Sequence, residues 1–266
     1  MKNYKFNPGI LLCLFILVLN GCKKGDMGPQ GPAGTNGPTG STGPVLTGTL
    51  AGHIMLSDQY GTSVFTGLNN ISVSLDDTGS SSSTTDNNGM YSMSNISTGT
   101  YSLTVNKDAS YGMMKVQNLQ FVGGGTLNRD VRLSQIPTFS ILTATAIDTT
   151  TATGNQIKLS GTVPTDTKAR KAVVFVGSLP GVTSNTANYI STYTINIAAN
   201  ATVFNLLIPT TDFYNMGISS GGTAYLAVYP AAQMYNTTST YEDFATGRTV
   251  FSAIGTNASS VSVLLQ

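Results

Sequence analysis

Side chains able to do chemistry are scarce in this chain. It has one histidine, His53, one glutamate, Glu242, two cysteines, Cys13 and Cys22, and no tryptophan. A Ser-His pair would have to recruit His53 from the other half of the chain. A glycosidase needs two carboxylates on opposite sides of one bond, and the spacing of Asp212, Glu242 and Asp243 shows no such geometry. The adjacent Glu242-Asp243 reads as a polar loop. Asp76, Asp77, Asp86, Asn87 and Asn88 offer oxygen to a hard cation, but Asp-Asn-Asn-Gly is also what a β-turn requires. With so few thiols and imidazoles, a cysteine-rich or histidine-containing metal site is hard to build. The expectation is no catalytic residue, no cofactor and no metal.

Aromatic side chains are the other candidates. Tyr225, Tyr229, Tyr235 and Tyr241 could form a platform on which sugar rings stack, with Tyr225 and Tyr229 as the glycan contacts. Strand tyrosines, equally, pack their rings and leave the hydroxyl at the rim.

The elements that must position these residues read as strands. Ile71, Val73 and Leu75 share one face of an alternating run, as do Tyr101, Leu103 and Val105. Thr85-Asp86-Asn-Asn-Gly89 is a tight turn leading into Met90–Met93. Lys115–Val122 and Leu127–Leu133 close the first set. Ser134-Gln-Ile-Pro137 reads as a short linker. Beyond it, strands are expected at Phe139–Ile147, Gln156–Val163, Lys171–Gly177, Tyr189–Ile197, Thr202–Ile208, Thr223–Tyr229, Arg248–Ile254 and Ser260–Leu265, with no helical stripe. The predicted fold class is all-β, with consecutive β-sandwiches over 46–135 and 136–266.

Charge is sparse, 9% of residues, and sums to +1. Loss of Lys2 and Lys5 with a leader would take it to about −1. A nucleic-acid partner, which needs a basic surface to displace counterions, is excluded on that balance. Solubility falls to Ser, Thr, Asn and Gly.

The N-terminal 1–21 has the order of an export signal. Two lysines precede Ile10–Leu19, whose apolar length of about ten residues is half of what spans a bilayer. Leu19-Asn20-Gly21-Cys22 resembles the bacterial lipobox. The resemblance implies cleavage before Cys22 and acylation there, hence a membrane anchor, since several buried acyl chains hold a protein where one would not. From Gly25 to Val45 glycine occupies every third position, with Pro29, Pro32, Pro38 and Pro44 following a glycine. Segment 22–45 thus resembles collagen, where only glycine fits the axis of three chains. Two readings stand: an extended single-chain spacer of roughly 65 Å at about 3.1 Å per residue, or a homotrimeric stalk through Gly25–Val45.

Gly52-His-Ile, Val73-Ser-Leu75, Thr85-Asp-Asn-Asn-Gly-Met-Tyr91 and Gly99-Thr-Tyr-Ser-Leu-Thr-Val105 resemble the carboxypeptidase regulatory-like domain, a transthyretin-like β-sandwich. The likeness covers about ninety residues. Despite its name that family is non-catalytic, which implies a structural or recognition module. The seven or eight strands of 136–266 loosely resemble a fibronectin type III or immunoglobulin-like sandwich. Together these features look like a lipoprotein of a Bacteroidota-type cell envelope, outer-membrane anchored and exported. Adhesion, scaffolding or recognition of a surface glycan or protein would be its work.

Overall fold

Runs that alternate apolar residues with Ser, Thr or Asn become strands wherever one face can be buried. A computed structural model describes Gly28, Gly31, Gly43 and residues 45–76, 81–151, 154–233, 239–256 and 258–266. The export signal, Cys22, the rest of the glycine triplets, Asp77 and Tyr235 lie outside the described residues. The chain divides into Met1–Gly43 and Pro44–Gln266, and the fold below belongs to the second part.

Nine strands build the first sandwich: β1 (Thr47–Ser57), β2 (Ser63–Val64), β3 (Ser72–Asp76), β4 (Ser82–Thr84), β5 (Met90–Ser97), β6 (Gly99–Asn106), β7 (Met114–Phe121), β8 (Thr126–Asn128) and β9 (Val131–Ser134). β1 is the hub of one sheet, antiparallel to β2 and β5 and parallel to β8 and β9. The facing sheet runs β4-β3-β6-β7. Leu50, Ile54, Val73, Leu103, Val105 and Leu133 meet between them, each almost wholly buried. The Asp86 turn forms as expected: its carboxylate accepts N–H bonds from Asn88 and Met90, both 2.8 Å. That carboxylate is spent on backbone.

The run Leu127–Leu133, expected as one strand, is two. At Arg129-Asp130 the chain leaves the ladder, and other bonds replace it. Arg129 N–H donates to the Ala51 carbonyl (2.8 Å), and His53 N–H donates to Asp130 Oδ1 (2.8 Å). Gly52 permits this approach, because a Cβ there would collide with the Arg129 carbonyl. The expected linker is also structured. Ser134 is buried at the end of β9, Gln135 N–H donates to Ser57 O (2.9 Å), and Ile136 N–H donates to Ser110 O (2.8 Å).

The second sandwich pairs a β10-β11-β14 sheet with a β13-β12-β15-β18 sheet. Its strands are β10 (Thr143–Thr151), β11 (Gly154–Thr162), β12 (Arg170–Gly177), β13 (Ser191–Ile197), β14 (Val203–Pro209), β15 (Thr223–Ala231) and β18 (Ser259–Leu264). The first of these begins four residues later than expected, and Phe139 instead packs against the core. Ile157, Leu159, Val174, Ile208, Phe213 and Leu226 fill the space between the sheets. β12 and β15 are covered on both faces, because Phe175, Tyr189 and Ala227 form a smaller outer core. A continuous apolar run such as Ala172–Val176 is what a strand buried on both faces requires.

Four elements were not visible in the sequence, among them the short strands β2 and β4. A six-residue helix, α1 (Thr210–Asn215), is too short to show a stripe. Strand β16 (Thr240–Asp243) pairs with β17 (Arg248–Phe251), so Glu242-Asp243 is strand, not polar loop.

Arg170 opens β12 with only 2% of its surface exposed. Its Nη1 donates to Pro164 O (2.6 Å), its Nη2 to Ala201 O (2.8 Å), and the guanidinium lies 5.2 Å from the Phe139 ring. A buried cation here satisfies two loop carbonyls that strand pairing leaves over.

Candidate functional site

The candidates from the sequence scatter. His53 lies on β1, and Glu242 lies exposed on β16. Asp212, in the first turn of α1, accepts the Tyr193 hydroxyl (2.9 Å). Burial, then that bond, pushes the Tyr193 phenol well above its ordinary range. Asp243 closes the β16–β17 turn, accepting bonds from Thr186 Oγ1, Thr246 Oγ1 and Ala245 N–H. The Thr186 bond leads in holding its carboxyl below the ordinary value. Gly217-Ile-Ser-Ser-Gly221 has the spacing of a nucleophile elbow, but it runs from helix α1 into strand β15. A nucleophile elbow needs the reverse order, strand to helix.

Tyr225 and Tyr229 lie on one face of β15, separated by Ala227. Tyr229 is half-buried, edge-on to Phe175 with ring centroids 5.4 Å apart. Tyr225 is half-buried and lines a hollow of about 300 Å³ with Val182 and Ser260–Ser262. Tyr235 is outside the described residues.

A larger groove lies elsewhere. Three strand edges converge on it: among the described residues β7 pairs with β6 alone, β9 with β1 alone and β16 with β17 alone. Its main part holds about 350 Å³. An adjoining hollow of about 300 Å³ shares Lys115, Gln117 and Tyr241 with it. The wall from the first sandwich carries Lys115, Gln117, Arg129, Asp130 and Arg132; the opposite wall carries Tyr241, Glu242 and Phe244.

Local structure explains each placement. β7 has one residue more than β6 between the Leu103–Val116 and Tyr101–Leu119 pairs. Asn118 absorbs it with φ of 54°, and a bulge of this kind re-aims its neighbours. Gln117 beside it has a buried Oε1 with no hydrogen-bond partner. The break between β8 and β9 turns Arg129 outward. Its main chain is pinned by the Ala51 bond and by the Tyr91 hydroxyl donating to its carbonyl (2.7 Å), while its side chain is exposed. Arg132 Nη2 rests 3.4 Å from Met55 Sδ. Neither arginine forms an ion pair among the described residues. Lys115 has one carboxylate partner among the described residues, Asp76 at 4.0 Å. Phe244, in the β16–β17 turn, is 53% exposed. Tyr241 leans its half-buried ring on the first core, and burial, then the Asp243 charge, raises its phenol pKa.

The groove offers an aromatic wall and two guanidinium groups that have no carboxylate partner among the described residues, which suits binding of a polar, partly flat ligand. Of its residues, sequence reading singled out only Tyr241 and Glu242, and neither for this place. The one signal available was Phe244, an aromatic inside a turn.

Among solved structures, the chain is similar to a "putative carbohydrate binding protein" from Bacteroides uniformis, with 16% identity and TM-score 0.31, covering 83% of this chain and 100% of that one. It is similar also to a DUF3823 family protein from Bacteroides ovatus, with 16% identity and TM-score 0.29, covering 83% of this chain and 100% of that one. A third similarity is to the full-length major pilin SpaD of Corynebacterium diphtheriae, with 9% identity and TM-score 0.27, covering 81% of this chain and 65% of that one. No family model and no curated protein matches the chain.

Proposed function

We propose that this chain is a non-catalytic envelope or cell-surface lipoprotein, anchored through Cys22, that presents a fused pair of β-sandwiches for adhesion, scaffolding or recognition. The joint between the sandwiches carries this reading. Tyr60 donates to Asp166 Oδ2 (2.7 Å), Thr138 N–H to Gln59 Oε1 (3.0 Å), Gln233 N–H to Gln59 O (2.9 Å), and the buried hydroxyls of Ser134 and Ser239 bond each other. Such a joint suits a body that displays a surface. The carboxylates Asp86, Asp212 and Asp243 serve turns and hydroxyls, as a scaffold uses them.

The anchor is tested with the full chain expressed in a diderm bacterium and labelled with palmitate. Label should enter the wild type, disappear in Cys22→Ser, and take the protein out of the membrane fraction with it. Equal labelling of both forms, or of neither, defeats the reading.

A second reading is recognition of a surface glycan. Its earlier locus was Tyr225 and Tyr229; the groove beside Tyr241 and Phe244 has the more open aromatic wall, since Tyr229 is engaged by Phe175.

A further inference from the structure

We infer that the groove between β7, β9 and β16 binds an anionic oligosaccharide, one bearing carboxylate or sulfate groups. This rests on the glycan reading above and narrows it to a place and a ligand class. Charge in the main hollow decides the class. Arg129, Arg132 and Lys115, the last beside Asp76 at 4.0 Å, meet Asp130 and Glu242 there, and Asp243 of the adjoining hollow is engaged by Thr186, Thr246 and Ala245. Asp130 already accepts the His53 N–H, and the two arginines have no carboxylate of their own among the described residues. A guanidinium binds carboxylate or sulfate through paired N–H donors, stronger than neutral bonds and directional. The rest of the lining selects a sugar over a simple anion. The Phe244 ring, 53% exposed, offers a flat apolar face to the C–H face of a pyranose. Gln117 lines both hollows, and its side-chain amide is of the type that pairs with sugar hydroxyls. Glu242, exposed, can accept a second hydroxyl. A peptide adding a strand along β7 would use the backbone edge, but it would need neither the arginines nor the exposed ring.

The two hollows run together at Lys115, Gln117 and Tyr241, so an oligosaccharide rather than a single sugar is the ligand that would use both. Its charge makes binding salt-dependent, since an exposed pair is screened beyond about 10 Å at 0.1 M salt.

The test is calorimetry on the full chain in detergent, with tetragalacturonate, a hyaluronan tetrasaccharide and a heparin tetrasaccharide as probes. Fully methyl-esterified tetragalacturonate and hexaglutamate serve as the neutral-sugar and acidic-peptide controls. At least one anionic probe should bind about tenfold or more tighter than both controls, and weaken with salt. The double variant Arg129→Gln, Arg132→Gln should lose about tenfold, and Phe244→Ala a similar factor, while Tyr225→Ala keeps wild-type affinity. Arg129 and Phe244 are exposed and Arg132 is half-buried with a side chain that reaches the groove, so melting curves should stay near wild type, and glutamine keeps part of the Arg132 stem in place. Equal binding of hexaglutamate overturns the sugar assignment. Binding that survives the groove variants but fails in Tyr225→Ala overturns the groove and leaves glycan recognition standing. No binding of any probe overturns the groove too, and palmitate labelling, untouched by these variants, still reports separately on the anchor.

Discussion

Tyr91 shows how one residue serves both core and groove. Its ring is buried between the sheets of the first sandwich, and its hydroxyl donates to the Arg129 carbonyl at 2.7 Å. Burial, reinforced by the Asp130 charge, pushes the phenol up to about 12 from an ordinary 10.0. A raised pKa means the folded chain holds this proton longer than the unfolded chain. Unfolding above pH 10 therefore releases a proton, and stability falls as pH rises. The contribution is whole below pH 10 and is lost on passing through about pH 12. Tyr91→Phe should lower the melting point at pH 8, where the bond to Arg129 is lost at a cost of about 1 kcal/mol. From pH 10 to 12 its curve should descend less steeply than wild type. It should still descend, because burial also raises Tyr193. Parallel curves would refute the assignment.

Elements explain what the sequence disclosed and what it withheld. Alternation marked β3 and β6 within a residue or two, since each strand has one apolar face and period two is a local signal. The Asp86 turn was legible for the same reason: donor, acceptor and glycine lie within five residues. Bulges are different. In β5 the extra residue is absorbed by Asn95 at φ 61°, in β7 by Asn118 at φ 54°, and both look like ordinary strand asparagines. The groove was illegible because Lys115, Arg129 and Phe244 belong to three elements joined by a parallel pairing and a hairpin from the far half of the chain. The bulge in β7 is testable as an element. Asparagine tolerates left-handed backbone, and a β-branched residue does not. Asn118→Val should destabilise by about 1–2 kcal/mol in urea unfolding, whereas Asn118→Gly should stay close to wild type. If valine is as stable as glycine, the bulge is not what holds that position.

At the scale of the molecule, two sandwiches with separate cores are joined by contacts of the interior kind. Gly112 in the β6–β7 loop sits so close to the Ser252 carbonyl that a Cβ would collide with it. Gly112 N–H donates to Ser134 O (3.0 Å), Ser252 Oγ lies 3.3 Å from Met114 Sδ, and Ser134 Oγ reaches Ser239. Domains on a flexible tether would unfold one after the other, because few contacts couple them. Here the buried hydroxyls at the joint would lose their partners if one sandwich opened, and an unpaired buried polar group costs about 1–3 kcal/mol. The first sandwich should therefore not melt ahead of the second, and calorimetry of the full chain should give one transition with equal van't Hoff and calorimetric enthalpies. Gly112→Leu drives a side chain into the joint while leaving both cores intact. It should split that transition into two, with the total enthalpy nearly preserved. A wild type that already melts in two steps would show that the joint is contact without coupling. A Gly112→Leu chain that still melts in one step, lowered as a whole, would show instead that coupling runs through the other joint bonds, such as Tyr60 to Asp166.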